Sequence, residues 1–366
     1  MLRGHPRPAI QEVVIMIIVE EFGEVHGKPA HAWRLDSGDG LSIRVSDYGA
    51  RLTELHVPDS SGETADIVLG FDDVESYIAS PAYFGATVGR YGNRISKGQF
   101  QLLGRDYQLD CNEGQNHLHG GRNGWDSRIW SADVNEGGNS ITFRTTSPDG
   151  EMGFPGTCEV ESTYQVEDGK LRIIMQATPS ATTIINMVHH SYYNLAGHAS
   201  GSVVDQLMQL PSEFYIPVDG QLMPTGEVLK VNGTPYDFRE LRPIGAAFDD
   251  LPPLGVDVFQ GGSGYDHNWC LEGGSAGLVA AAELHDPVSG RRMKLSSTEP
   301  GVQMYTGGYL HDQMFGKGAQ PYCKYAGFTL ETQKFPDSPR FLHFPTTTVR
   351  EGETYRHEML LEFSTM

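Results

Sequence analysis

Cysteine is scarce in this chain: Cys111, Cys158, Cys270 and Cys323 are spread over 366 residues, with no CxxC pair. That spacing excludes a dense disulfide framework and points to a reducing compartment. Basic residues are also few, 27 Lys+Arg against 47 Asp+Glu, for a formal net charge of −20. A surface of that sign repels nucleic-acid phosphates and anionic lipid, so neither is expected as a partner. Long apolar runs are missing as well. The run Val13 to Val19 falls far short of the roughly 20 residues a membrane span needs. It follows Arg3 and Arg7 but lacks an Ala-x-Ala cleavage site and leads into Glu20 and Glu21, so it reads as a strand rather than a signal peptide. Residues 1–15 read as a disordered extension or a misassigned start, with Met16 as the alternative initiator. No repeat, charge block or Ser/Gly/Pro-rich linker divides the remainder, and 16–366 reads as one domain. With no export signal and sparse cysteine, a cytoplasmic location is expected, and a periplasmic one is the alternative.

Apolar positions at helical three-and-four spacing are scarce too. Alternation takes their place: Leu41, Ile43 and Val45 share one face of a segment whose other face carries Ser42, Arg44 and Ser46. The same period of two runs through Ile141 to Thr145, and through Cys158 to Val166 and Leu171 to Ala177, with Glu167-Asp168-Gly169-Lys170 as a hairpin turn between them. Gly301 to Tyr309, Gly327 to Gln333 and Glu358 to Phe363 continue it. With 44 Gly and 21 Pro to punctuate these segments, the chain predicts an all-β antiparallel sandwich or barrel.

Three groups of residues carry candidate chemistry. His117, His119, His189 and His190 fall in two tight groups. An H-x-H on a strand puts both rings on one face, a pattern that suits zinc or iron. However, Gly120-Gly121-Arg122-Asn123 supplies no carboxylate, and adjacent His189 and His190 point to opposite faces, so no metal is expected. In Phe328 to Gln333, alternation sends Glu331 away from the apolar face of Phe328 and Leu330. A lone strand Glu is usually solvated. Paired with His190 across a small polar substrate, it becomes a base opposite an acid. Tyr192 and Asn194 share the face of His190. Finally, Arg90, Asn93 and Arg94 lie in one compact loop, and Asp266 lies in Gly264-Tyr-Asp-His-Asn-Trp269 with two aromatic residues. Fixed donors, a carboxylate and aromatic rings suit sugar hydroxyls and a sugar C–H face.

These segments, in this order, resemble the aldose 1-epimerases, also called galactose mutarotases. The likeness runs through Asp47-Tyr-Gly-Ala50, Val68-Leu-Gly-Phe71 and Phe84-Gly-Ala-Thr-Val-Gly-Arg-Tyr-Gly-Asn-Arg-Ile95. It continues with Asn116-His-Leu-His-Gly-Gly121, His190-Ser-Tyr-Tyr-Asn-Leu195, Gly264-Tyr-Asp-His-Asn268, Gln303-Met-Tyr-Thr-Gly307 and Leu330-Glu-Thr-Gln333 with Pro336-Asp337. One such motif is weak; so many in order are not coincidence. The chain departs from the family pattern at His189, at Gly308 and over Ser338 to Phe344.

The resemblance implies a large antiparallel β-sandwich of the galactose mutarotase type, a sugar lying in an open cleft, and no cofactor or metal. It implies Glu331 as general base and His190 as general acid, with Asn93, Arg94, His119, Tyr192, Asp266 and Gln303 contacting substrate. The expected activity is interconversion of the anomers of free galactose and glucose, by a monomer or homodimer. A silent sugar-binding or sensor domain and a hexose-6-phosphate mutarotase are the competing readings.

Overall fold

The computed structural model describes residues 17–255, 263–273 and 277–366. Burial alternates residue by residue along the strands Cys158–Glu167 and Lys170–Pro179, which send Val160, Tyr164, Ile173 and Met175 into the largest core cluster. Glu167 pairs with Lys170 across Asp168-Gly169, so the hairpin sits where the turn residues place it.

These strands centre a nine-stranded sheet that runs, in spatial order, from Ser131–Asn135 through Ser140–Ser147, Cys158–Glu167, Lys170–Pro179 and Tyr355–Thr365 to Arg291–Ser297, Val279–His285, Leu207–Gln209 and Arg242–Pro243. A six-stranded sheet holds Tyr192–Tyr193, Phe328–Gln333, Gly301–Tyr305, Asp266–Cys270, Phe214–Ile216 and Leu229–Lys230, and a five-stranded sheet runs from Ile18–Val25 to Thr64–Asp66. Both large sheets are antiparallel throughout. Ile43 and Leu55 of the five-stranded sheet, Ile173 and Leu361 of the nine-stranded and Trp269 and Leu330 of the six-stranded join one apolar cluster, so the architecture is a large antiparallel β-sandwich. Among the described residues the α-helix Val74–Ala79 is one short piece, capped by Asp73 Oδ1 accepting from the Ser76 N–H at 2.8 Å.

Three sequence readings change in detail. The first strand begins at Ile18, inside the Val13 to Val19 run; Val13 to Met16, and the extension expected over 1–15, lie outside the described residues. The polar face of Leu41 to Ser46 is covered rather than wet: Arg44 is buried, bonded to Glu20 at 3.1 Å and stacked 4.5 Å over the Phe22 ring. The expected strand Gly301 to Tyr309 stops at Tyr305. Beyond it, Gly308 passes so close to the Ser263 carbonyl that a Cβ there would lie 2.2 Å from its oxygen, so a side chain at this position has no room.

The six-stranded sheet positions the site. Phe328 and Leu330 go into the core, and Thr329, Glu331 and Gln333 take the opposite face, as alternation requires. Gln303 stands directly across from Glu331, and Tyr192 directly across from Thr329.

Candidate active site

A cavity of about 280 Å³ opens over that face. It lies just under the usual range for drug-sized ligands, about 300–1,000 Å³, and fits a small one. Asn93, Arg94, His119, His190, Tyr192, Asp266 and Glu331 line it, drawn from five separate segments of the chain. Each is buried, with at most 8% of its surface exposed.

His190 ends the short strand Val188–His190, which pairs with Ala86–Val88. Its Nε2 lies 3.4 Å from Glu331 Oε1, while His190 Nδ1 and Glu331 Oε2 have no hydrogen-bond partner among the described residues. Both residues line the cavity, where a ligand can complete their bonding. Glu331 Oε1 also accepts from the Thr329 hydroxyl at 2.9 Å. Burial raises the Glu331 carboxyl to about 8; the Thr329 bond opposes this, Asp266 adds to it and Arg94 opposes it. Burial lowers His190 to about 4, helped by the charge of Arg51. Between those limits the pair holds a single proton, a property of the two groups together.

His119 is aimed by backbone strain. It sits at φ +50° and is followed by Gly120 at φ +88°, whose Cβ would lie 1.9 Å from the Gly89 carbonyl oxygen, so only glycine fits there. The strand His117–Leu118 ends at this bend. The expected shared face of His117 and His119 is therefore lost: His119 enters the cavity, and His117 turns away, bonding the Asp110 carbonyl at 2.7 Å and packing on Phe154. His189 behaves as alternation requires, pointing away from His190 to bond Ser191 at 2.7 Å. Asn194 is not part of the site. Its side chain bonds the Gly201 and Ala326 carbonyls, both at 2.9 Å.

The carboxylate that the sequence next to His119 lacks arrives from a distant strand. Ligand atoms of His119, His190 and Glu331 all lie within 4.8 Å of one another, a set with the composition of a metal site. The proton on His119 decides against one. Its Nδ1 accepts from the Asn93 N–H at 3.2 Å, so the neutral ring carries its hydrogen on Nε2. That nitrogen can donate to a ligand oxygen and has no lone pair for a cation. Burial, with the charges of His190 and Arg94, holds the ring well below its usual pKa and so neutral.

Arg94 Nε and Nη2 each bond the Glu113 carboxylate at 2.7 Å. Asp266 is raised by burial, with Arg94 and Gln303 opposing. Gln303 itself does not line the cavity. It stands behind Asp266 and donates to Asp266 Oδ1 at 2.7 Å.

Several lining residues escaped sequence reasoning. Tyr83, at φ +56°, sets its ring 4.8 Å from that of His119 and 5.7 Å from that of His190. Tyr305 stacks on Tyr309 at 5.6 Å, and Met314 adds to the same wall. Alternation in Gln303-Met-Tyr305 was the available signal for Tyr305; nothing in the sequence marks Tyr309, Met314 or Glu113.

Comparison with known proteins shows the family and the fold. The family described as aldose 1-epimerase matches residues 31–362. Galactose mutarotase of Bos taurus is 40% identical over 326 residues, 89% of this chain and 92% of that protein. Aldose 1-epimerase of Escherichia coli strain K12 is 32% identical over 332 residues, 90% of this chain and 94% of that one. The crystal structure of an aldose epimerase homologue from C. elegans superimposes with a TM-score of 0.83 at 26% identity, covering 91% of this chain and 98% of that chain.

Proposed function

The chain belongs to the aldose 1-epimerase family, and from that premise we propose that Glu331 and His190 form the acid–base pair with which it interconverts the α and β anomers of free aldohexoses such as galactose and glucose. It is an aldose 1-epimerase. The observation that carries the assignment of the pair is the 3.4 Å approach of His190 Nε2 to Glu331 Oε1, with one unpartnered atom on each side chain in a cavity of sugar-binding character.

Changing the anomer requires the hemiacetal ring to open, the aldehyde to turn about the C1–C2 bond and the ring to close. In opening, Glu331 takes the proton of the C1 hydroxyl as the C1–ring-oxygen bond breaks, and His190 gives a proton to the ring oxygen. Closure on the other face of the aldehyde reverses both transfers, so no proton is gained or lost. In the empty site the shared proton rests on the carboxyl, because burial disfavours the ion pair. Sugar hydroxyls that donate to Glu331 Oε2 favour the carboxylate and move the proton to His190, so substrate itself prepares the acid. Asp266 accepts from sugar hydroxyls, Arg94, Asn93 and His119 Nε2 hold others, and Gln303 acts through Asp266. The rings of Tyr192, Tyr83 and Tyr305 pack on the C–H faces. Each positioned acid or base contributes about 10²–10⁴-fold.

The lining also bears on the hexose-6-phosphate alternative. Among the described lining residues Arg94 is the one guanidinium and there is no lysine ammonium, and that guanidinium is already paired with Glu113. With Asp266 and Glu331 facing the same space, a phosphate meets no lysine and no unpaired guanidinium, so the lining favours an unphosphorylated sugar.

The proposal treats 16–366 as one catalytic domain, supported by an apolar cluster that draws on residues from Leu35 to Leu361. Among the described residues no helix is long and apolar enough to cross a membrane. Four free cysteines suit a reducing compartment, and we place the protein in the cytoplasm as a monomer or homodimer.

Polarimetry on freshly dissolved α-D-galactose and α-D-glucose tests the pair. Wild type should speed the approach to anomeric equilibrium, and Glu331→Gln and His190→Asn, both folded, should lose that effect. Full activity in either variant removes it from its role; sugar binding without acceleration by wild type reduces the protein to a binding module.

A further inference from the structure

Arg94 is buried at the mouth of the acid–base pair, and what holds it is a residue that no sequence signal marks. Arg94 belongs to the two-residue strand Arg94–Ile95, paired with His117–Leu118. Glu113 starts the tight turn leading into that partner strand. Its N–H bonds the Asn116 carbonyl at 3.1 Å, and its own carbonyl accepts from the Asn116 N–H at 2.8 Å. Asn116 in turn accepts from the Lys97 N–H at 3.1 Å, so the turn is tied to the chain just after the Arg94 strand. From this anchored position the Glu113 carboxylate grips Arg94 side-on, Oε2 to Nε and Oε1 to Nη2, both at 2.7 Å, with each side chain only 7% exposed. This two-pronged geometry fixes the plane of the guanidinium as well as its position. Two of its five N–H donors are used, leaving three on a group that lines the cavity, whereas Glu113 does not line it.

We propose that Glu113 is a positioning residue: it fixes the orientation of Arg94 for the sugar and cancels its charge, so that a guanidinium can stand beside Glu331 without draining the base of its proton affinity. This deepens the functional reading above and rests on it. The charged and titratable groups facing Glu331 are His190 from the Val188–His190 strand, Tyr192 from its own short strand, Asp266 and Tyr305 from the neighbouring strands, and Arg94 and His119 from the loop side. Tyr83, Tyr309 and His311 are the remaining titratable groups of the lining. Arg94 is the one permanent cation among these, and it acts to lower both Glu331 and Asp266, while Glu113 acts to raise Asp266. Glu113 keeps the guanidinium cationic despite burial, and its own negative charge offsets that cation for the rest of the site.

The test is the pH dependence of mutarotation, with KM and kcat resolved, in wild type, Glu113→Gln and Glu113→Asp. Glu113→Gln leaves Arg94 uncompensated and loosely held. KM should rise about tenfold or more, the value of one charge-assisted hydrogen bond, with kcat nearly unchanged, and the alkaline limb of the profile should move to lower pH. Glu113→Asp keeps the charge but is one methylene short, so KM should rise while the alkaline limb stays in place. In an Arg94→Met background, adding Glu113→Gln should leave KM unchanged, because the residue meets the sugar only through Arg94. That double variant contains no unpaired buried charge and can be read even if Glu113→Gln alone does not fold. A Glu113→Gln enzyme with wild-type KM and an unmoved alkaline limb overturns the proposal, as does a further rise in KM on adding it to Arg94→Met. A wild type that fails to accelerate mutarotation overturns the epimerase reading instead, and this inference with it.

Discussion

Replacing Glu331 by glutamine should abolish the chemistry and at the same time stabilise the fold, by an amount that grows with pH. The carboxyl titrates near 8 in the folded protein and near 4.5 when solvated. Between those values the native state keeps a proton that the unfolded chain has released, so the native state binds more protons and stability falls as pH rises. The contribution is fully present below about 4.5 and lost by about 8. Each unit of separation is worth about 1.36 kcal/mol, so the 2.5-unit gap between 4.5 and pH 7 amounts to at most about 3 kcal/mol. Glutamine keeps the shape, can still accept from the Thr329 hydroxyl, and does not titrate. For 366 residues, at about 2.1 cal/mol/K each, 3 kcal/mol corresponds to a Tm higher by roughly 4 °C at pH 7. The assay is thermal unfolding of both proteins at pH 5, 6, 7 and 8, with polarimetry on the same preparations. The difference in Tm should be small at pH 5 and widen through pH 8. A difference that does not change with pH, or a variant less stable than wild type at pH 8, would refute burial of a protonated carboxyl as the source.

On the roles proposed for Glu331 and His190 the pair works with one proton, so kcat/KM should be bell-shaped: below about pH 4 a second proton adds and Glu331 can no longer act as base, and above about pH 8 the last proton leaves and no acid remains. A flat profile from pH 4 to 9 contradicts the pair. Asp266→Ala removes a sugar acceptor and the partner of Gln303, and should raise KM by about 10–100-fold with a smaller change in kcat, as read from initial rates over a range of galactose. Dialysis against EDTA should leave mutarotation unchanged, because His119 presents an N–H rather than a lone pair to the cavity; loss of activity restored by Zn²⁺ would show the tautomer assignment to be wrong.

How far the sequence reached depended on the range of the interaction. Alternation along Cys158 to Ala177, broken by Asp168-Gly169, yields the central hairpin because a strand's two faces and a two-residue turn are set by neighbouring residues. The same rule put Glu331 on the face opposite Phe328 and Leu330, and His190 opposite His189. It failed where backbone conformation left the period of two. His119 swings away from His117 because positive φ at His119 and Gly120 ends the strand, a feature of how the chain crosses Gly89 that no local pattern records. Glu331, read in isolation as a solvated carboxylate, is 3% exposed because other segments close over it.

By itself, then, the order of apolar and polar residues determined the strand content, the antiparallel class and the faces of the main strands, and the resemblance supplied Glu331 and His190 as the proposed base and acid. Tertiary structure alone decided that the two stand 3.4 Å apart, that Gln303 lies behind Asp266, and that Glu113 holds Arg94. The physical reason is that strand periodicity is short-ranged, whereas desolvation and charge pairing depend on which distant segments share a low-dielectric volume. Glu331 and His190 are 141 positions apart in the chain, and burial in the fold shifts the one up and the other down.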